Sequence, residues 1–260
     1  AGIPLVGWLI DTLSRNPETA LLSWRAPFPL LAILGLIFFI LIAVRIPNNR
    51  SSHPALGNSW QTIRQILKVP TVLAGLGFAI ATCVANETVN LVFGVWLEDS
   101  FSLQLAALGA ASAVIGISEL SGEGLSAFLS DRIGKELAVR IGLMTSALAS
   151  VLIYLIGSSI PGALIGLFLF YLGFEFTIVS SLPLMSEVYP AARATVMAST
   201  VACFSLGRAL GAFLAPHLYQ LGFIYNLIVA LISIAIAYYL LRTVHPLEEI
   251  NADQQIPLAT

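Results

Sequence analysis

Charge is what this chain has least of. Asp, Glu, Lys and Arg together make up 10% of its 260 residues, where a soluble domain carries roughly 25%. Hydrophobic residues make up 58%, and the mean hydropathy is +0.91. So little charge cannot cover a water-facing surface, which excludes a soluble globular domain and predicts an all-α polytopic membrane protein. Cysteine is almost absent. Cys83 and Cys203 both lie in apolar runs, leaving no disulfide framework and no thiolate metal cluster. The three histidines, His53, His217 and His245, stand far apart without ligand spacing, so neither a metal nor a cofactor is expected. Gly122-Glu123-Gly124 follows no strand and is not a phosphate loop. Basic residues do not gather with aromatics, so nucleic acid is not an expected partner, and no enzymatic constellation is visible. A signal peptide is missing as well: the chain opens inside an apolar segment, without a start methionine or basic n-region, and is expected to be truncated at its N-terminus.

What is present is a succession of apolar runs, each near the roughly 20 residues that a bilayer requires. One remnant, Ala1–Ile10, precedes seven predicted spans at about 26–44, 71–97, 104–129, 138–157, 161–182, 195–217 and 222–241. Their connections are short except for a polar linker holding Arg45, Arg50, Arg64 and Lys68. In it Trp60, Ile63 and Leu67 recur at helical spacing beside Arg64 and Lys68, the pattern either of a short helix on the membrane surface or of a solvated connector. If the linker is cytoplasmic, nine basic residues face that side (Arg45, Arg50, Arg64, Lys68, Arg132, Lys135, Arg140, Arg193 and Arg242) against Arg15 and Arg25 on the other. That bias places the linker and the C-terminal tail in the cytoplasm. The ends of the chain also read alike. Ala1–Arg45 and Gly207–Arg242 each run from a small-residue helix end through a loop to an uncharged span that closes on arginine. Six spans separate the two arginines, an arrangement of six-helix halves known among transporters.

Spans 26–44, 138–157 and 222–241 carry no ionisable residue beyond Arg140 at an edge and Tyr154, Tyr225, Tyr238 and Tyr239. The others hold Glu87, Glu119, Glu123, Glu175, Arg208 and His217. A charge in a span faces a bundle interior or a wet cavity, so the uncharged helices are expected at the periphery and the charged ones along a path. Cys83, Asn86, Glu87, Asn90 and Gly94 share one helical face, with Glu87 near mid-span as a candidate proton carrier. Ser112, Gly116, Glu119, Glu123, Ser126 and Ser130 form a second polar stripe, on which Glu119 and Glu123 stand one turn apart and share protons. Each acid also has a structural reading, and Arg208 is the obvious partner for one of them. Glu175 sits half a turn from the small face Gly166, Gly173, Thr177 and Ser180, so it is expected to point elsewhere. Gly207 and Gly211 read as close helix packing, and His217 as interfacial.

Four motifs resemble one family, the major facilitator superfamily. Ala127-Phe128-Leu129-Ser130-Asp131-Arg132-Ile133-Gly134-Lys135 is similar to its loop motif, departing from it at Ala127 and at the following Glu136. Ala1-Gly2-Ile3-Pro4-Leu5-Val6-Gly7 resembles the end of its antiporter glycine–proline motif, and Trp24-Arg25-Ala26-Pro27-Phe28 the opening of its sixth helix. Glu187-Val188-Tyr189-Pro190 with Arg193 resembles the turn between its tenth and eleventh helices. The resemblance implies residues 1–45 as the end of an N-terminal bundle (a stub of helix five, then helix six) and 46–70 as the central linker. Residues 71–242 would be the C-terminal six-helix bundle and 243–260 a cytoplasmic tail. It further implies a multi-pass protein of the cell membrane whose partners are lipid, a small-molecule substrate, protons and the missing N-terminal half. The expected function is proton-coupled efflux of a small amphipathic compound by alternating access. A sugar or organic-anion symporter of the same fold, and a non-transporting intramembrane enzyme or inactive fragment, stand as alternatives. Read alone, Asp131, Arg132, Gly134 and Lys135 also form an ordinary positive-inside turn. With the family resemblance they become a gate latch, Asp131 docking on the positive end of the fifth helix beside Glu187 and Arg193.

The orientation is directly testable. Fused to the C-terminus of the intact protein, green fluorescent protein is expected to fluoresce and alkaline phosphatase to stay inactive. Active phosphatase at that position would invert the topology.

Overall fold

A computed structural model describes residues 25, 27–45, 59–103 and 105–244. The glycine–proline segment, the remnant, most of the linker and the tail lie outside the described residues, as do the side chains of Trp60 and of residues 59, 61, 105 and 106. Every regular element described is helical: α1 (Pro27–Arg45), α2 (Ser59–Ile66), α3 (Pro70–Asn90), α4 (Phe93–Phe101), α5 (Leu105–Ile133), α6 (Lys135–Ile156), α7 (Ile160–Val188), a single 3-10 turn (Pro190–Ala192), α8 (Arg193–Leu221) and α9 (Phe223–Leu241). They fall into two compact units, one with α1 and residues 105–113, the other with residues 59–103 and 114–244.

Six spans among the described residues are long and apolar enough to cross a membrane, the second of them formed by α3 and α4 together. The remaining expected span falls on α5, whose 29 residues have the length. The span expected over 71–97 is not one helix. It is interrupted by a turn at Leu91–Val92, beside the poor helix formers Asn90 and Gly94.

In α1 every side chain from Phe28 to Arg45 is exposed, Phe39 to 67%, a uniformly apolar surface suited to lipid. In the larger unit α3 packs against α7, α8 and α9, and α6 pairs along its length with α7. Small residues allow these approaches, as in membrane bundles generally. A Cβ on Gly173 of α7 would stand 2.8 Å from the Gly142 carbonyl and 2.6 Å from Ser146 Oγ on α6. On α8, a Cβ at Gly207 would meet Cys83 Cβ at 2.8 Å and one at Gly211 would meet Glu87 Cβ at 2.7 Å, both on α3. Asn226 of α9, fully buried, donates from Nδ2 to Thr88 O (2.8 Å) and Ala215 O (3.0 Å), tying three helices.

The linker does contain a helix, α2, which contacts α8. Its buried face is Thr62 and Ile66, whereas Ile63 is half-buried and Leu67 exposed. The side turned to the protein is thus one residue round from the expected stripe, which leaves Leu67 facing outward.

Glycine here has two opposite roles. Replacing Gly173 with Ala drives a methyl into the α6 backbone, and overpacking of this kind costs roughly 1–3 kcal/mol. The Cβ position of Gly124 on α5 is open, so Gly124→Ala is expected to stabilise by about 0.5–1 kcal/mol through helix propensity. Thermal unfolding of the intact protein in detergent checks both signs; equal effects would refute the packing assignment.

Candidate functional site

The site grows from the α3–α8 contact. Gly211 presses its backbone against Glu87, which leaves the carboxylate 13% exposed and aimed along α8 toward Arg208. Glu87 Oε2 lies 3.6 Å from Arg208 Nη1, and the arginine side chain is 50% exposed. That is an ion pair without a close hydrogen bond: Oε2 is buried and accepts none among the described residues. Oε1 accepts from Asn90 Nδ2 at 3.3 Å, and Asn90 Oδ1 accepts from Tyr171 O–H at 3.0 Å. A continuous polar chain therefore links α8, α3 and α7. The Arg208 guanidinium also stands over the Phe174 ring, 5.9 Å from its centroid.

Sequence phase alone did not single out Tyr171. The available signal is its position one turn before Glu175, together with the rule that a buried tyrosine hydroxyl needs a partner; Tyr171 is fully buried.

The remaining acids gather around the same arginine. Glu119 lies within electrostatic range of Arg208 and Glu123, and Glu175 within range of Glu119, Glu123 and Arg208. The expectation that Glu175 points elsewhere is corrected by its neighbours. The small face of α7 is a packing surface: Gly173 and Thr177 meet Gly142 of α6, Gly166 meets Ile153, and Ser180 bonds Ser126 Oγ of α5 at 2.9 Å. Half a turn round, Glu175 faces the other acids. Glu87 pairs with the Arg208 guanidinium, Glu119 and Glu175 stand within its electrostatic range, and Glu123 lies near those two acids, though no group of three metal-binding side chains is close enough to hold a metal ion among the described residues.

The polar stripe of α5 divides in the same way. Ser126 and Ser130 are buried, Gly122 packs on the Leu172 carbonyl and Ser118 Oγ donates to Phe168 O at 2.5 Å. Ser118, Gly122 and Ser126 hold α5 to α7. Glu119, half-buried, and Glu123, exposed, flank that contact, and Ser112 bonds back to Leu108 O of its own helix at 3.0 Å. Asn86, expected on the pathway, is instead 3% exposed and lines a small cavity inside the bundle. His217 is exposed, with Nδ1 2.9 Å from Phe213 O, near the end of α8.

The proposed gating residues form a second cluster. Gly134 caps α6 at φ +91°, a backbone that side-chain-bearing residues rarely adopt. That turn delivers Lys135 Nζ to Glu187 Oε1 at 2.5 Å, and Arg193 Nε donates to Ser186 O at 2.9 Å, so the α5–α6 turn and the end of α7 are braced together. Glu136 pairs with Arg140 along α6. Asp131 and Arg132 are exposed, and neither forms an ion pair among the described residues; the helix that would receive Asp131 lies outside them.

Comparison with known proteins adds the family. The family model described as Major Facilitator Superfamily matches residues 1–179 and again residues 79–259. The chain is 26% identical over 230 residues to the uncharacterized MFS-type transporter YceJ of Bacillus subtilis (strain 168), covering 84% of this chain and 54% of that protein. It spans about half the length of the curated relative it matches.

Removing one member of the central pair isolates its character. Arg208→Met strands a largely buried carboxylate and is expected to lower the melting temperature. Adding Glu87→Gln is expected to restore most of the loss, since a stranded buried charge is worse than an uncharged pair. Equal melting of Arg208→Met and the double variant would show that the two charges do not interact.

Proposed function

The chain belongs to the major facilitator superfamily, and from that membership and its acid-lined site we propose that it forms part of a proton-coupled secondary transporter. The observation that carries this reading is the half-exposed Arg208 paired with Glu87 and within electrostatic range of Glu119 and Glu175, with Glu123 near those two. One cation cannot neutralise all the acids near it, so protonation of Glu87 would leave Arg208 to the others. Protonation of Glu87, or of Glu119 and Glu123 together, frees Arg208, alters the charge that a substrate meets and lowers its affinity. The same event releases Asp131 from its latch, with Lys135, Glu187 and Arg193 as the brace that turns with it.

On this reading residues 71–242 act as one six-helix bundle that rocks against an N-terminal half, with the linker and tail on the cytoplasmic side of the cell membrane. The preferred direction is efflux of a small amphipathic compound in exchange for protons, with Asn90 supporting the proton-carrying acid. A carrier for organic anions is disfavoured by the excess of acids at the site.

The test is transport by the intact protein in proteoliposomes under an imposed pH gradient, read with a panel of amphipathic fluorescent dyes. Glu87→Gln is expected to abolish gradient-driven dye movement while leaving exchange without a gradient measurable. Transport unchanged from the parent would remove Glu87 from the mechanism.

A further inference from the structure

We propose that the bundle holds a buried water-binding site between α3, α6 and α7, built from Thr82, Asn86, Ser146 and Thr177. It is separate from the acid site and does not depend on the transport reading. The four side chains line a cavity of about 10 Å³, closed by apolar groups such as Phe170, Phe174 and Ile234. That is close to the space one water molecule requires.

Two of the lining groups have no other partner among the described residues. Thr82 and Asn86 are each 3% exposed, and Thr82 Oγ1 and Asn86 Oδ1 accept and donate nothing. Thr82 is unusual in this. The buried hydroxyls of Thr88, Ser150, Thr177 and Thr200 all donate to a carbonyl about one turn earlier on their own helices. One turn apart on α3, Thr82 and Asn86 present a donor and an acceptor to the same cavity. Across it, Ser146 Oγ donates to Phe170 O and Thr177 Oγ1 to Gly173 O, so both keep only lone pairs to offer.

This is the donor and acceptor set that one water completes. It accepts from Thr82, and donates to Asn86 Oδ1 and to the hydroxyl oxygen of Ser146 or Thr177, three bonds in all. A dehydrated monovalent cation fits the space less well in energy. No carboxylate lines the cavity, and a charge buried among neutral oxygens lacks the compensation it needs. The water would join α3 to α6 and α7, and so fix the rotation of the helix whose next residue, Glu87, faces Arg208.

The decisive measurement is a density map of the intact protein at a resolution that shows ordered waters. One spherical feature within hydrogen-bonding distance of Thr82 Oγ1 and Asn86 Oδ1 is expected; an empty cavity overturns the proposal. Thermal melts give an independent reading. Asn86→Leu is expected to expel the water and lower the melting temperature, and Thr82→Val in that background to lower it no further. Additive losses would mean the two groups share no ligand. Melting should be the same in sodium, lithium and choline chloride. A rise specific to sodium or lithium would overturn water in favour of a cation. If the variants do not fold, the map and the salt series decide.

Discussion

Inside a bilayer, polar groups must be satisfied by the protein itself, and the helix contacts of this chain are organised by that constraint. Hydrocarbon supplies no hydrogen bonds, so a carboxylate, hydroxyl or amide within a span finds a protein partner or encloses its own water. Glu87 meets it through Arg208 and Asn90, Asn90 through Tyr171, and Ser126 through Ser180. The helix positions follow. An α3 rotated by one residue would turn Glu87 away from α8 and Asn90 away from α7 together.

Much of this was legible in the sequence because composition and charge placement are one-dimensional signals. The scarcity of charge identified a membrane protein, and the uncharged run over 26–44 became α1, exposed along its length. Glu87 and Arg208, 121 residues apart, meet as an ion pair that their unusual burial in lipid made worth expecting. What periodicity could not separate was a polar face that lines a path from a small-residue face that packs. Serine, threonine and glycine serve both. Thus Ser118 and Ser126 lie on the same helix as Glu119 and Glu123, yet these serines turn into the α5–α7 contact and the acids flank it. Glu175 was misjudged for the same reason, because the small face taken as its reference is a packing surface.

Asn86 shows the limit of reading one helix in isolation. It is adjacent to Glu87 and was assigned to the same path, but about 100° of rotation per residue is enough to place it between different neighbours. Whether such an amide meets a passage or a closed cavity is decided by α6 and α7, whose relevant residues lie some 60 to 90 positions away. No local pattern carries that information. The break at Leu91–Val92 is of the same kind: its flanking residues are weak helix formers, but the hold on Asn90 by Tyr171 comes from a distant helix.

The proposed shift of Arg208 between acids can be set against ordinary electrostatic magnitudes. Two unit charges about 4 Å apart interact by ~4 kcal/mol at an effective dielectric constant near 20. Inverting a two-state equilibrium from one part in a hundred to ninety-nine requires roughly 5.5 kcal/mol of differential interaction. Neutralising one acid therefore supplies an energy of the right order to bias a conformational change, but not enough to complete it alone. A second contribution must come from elsewhere, and an exposed pair such as Lys135–Glu187 is worth only about 0–1 kcal/mol. On the proposed reading, substrate binding at the acids is the remaining source. A site that needs both the proton and the substrate to turn the equilibrium is one in which the two movements are coupled. On the proposed reading, acids grouped near one half-exposed arginine meet that condition, because neither ligand could bind without altering what the other encounters.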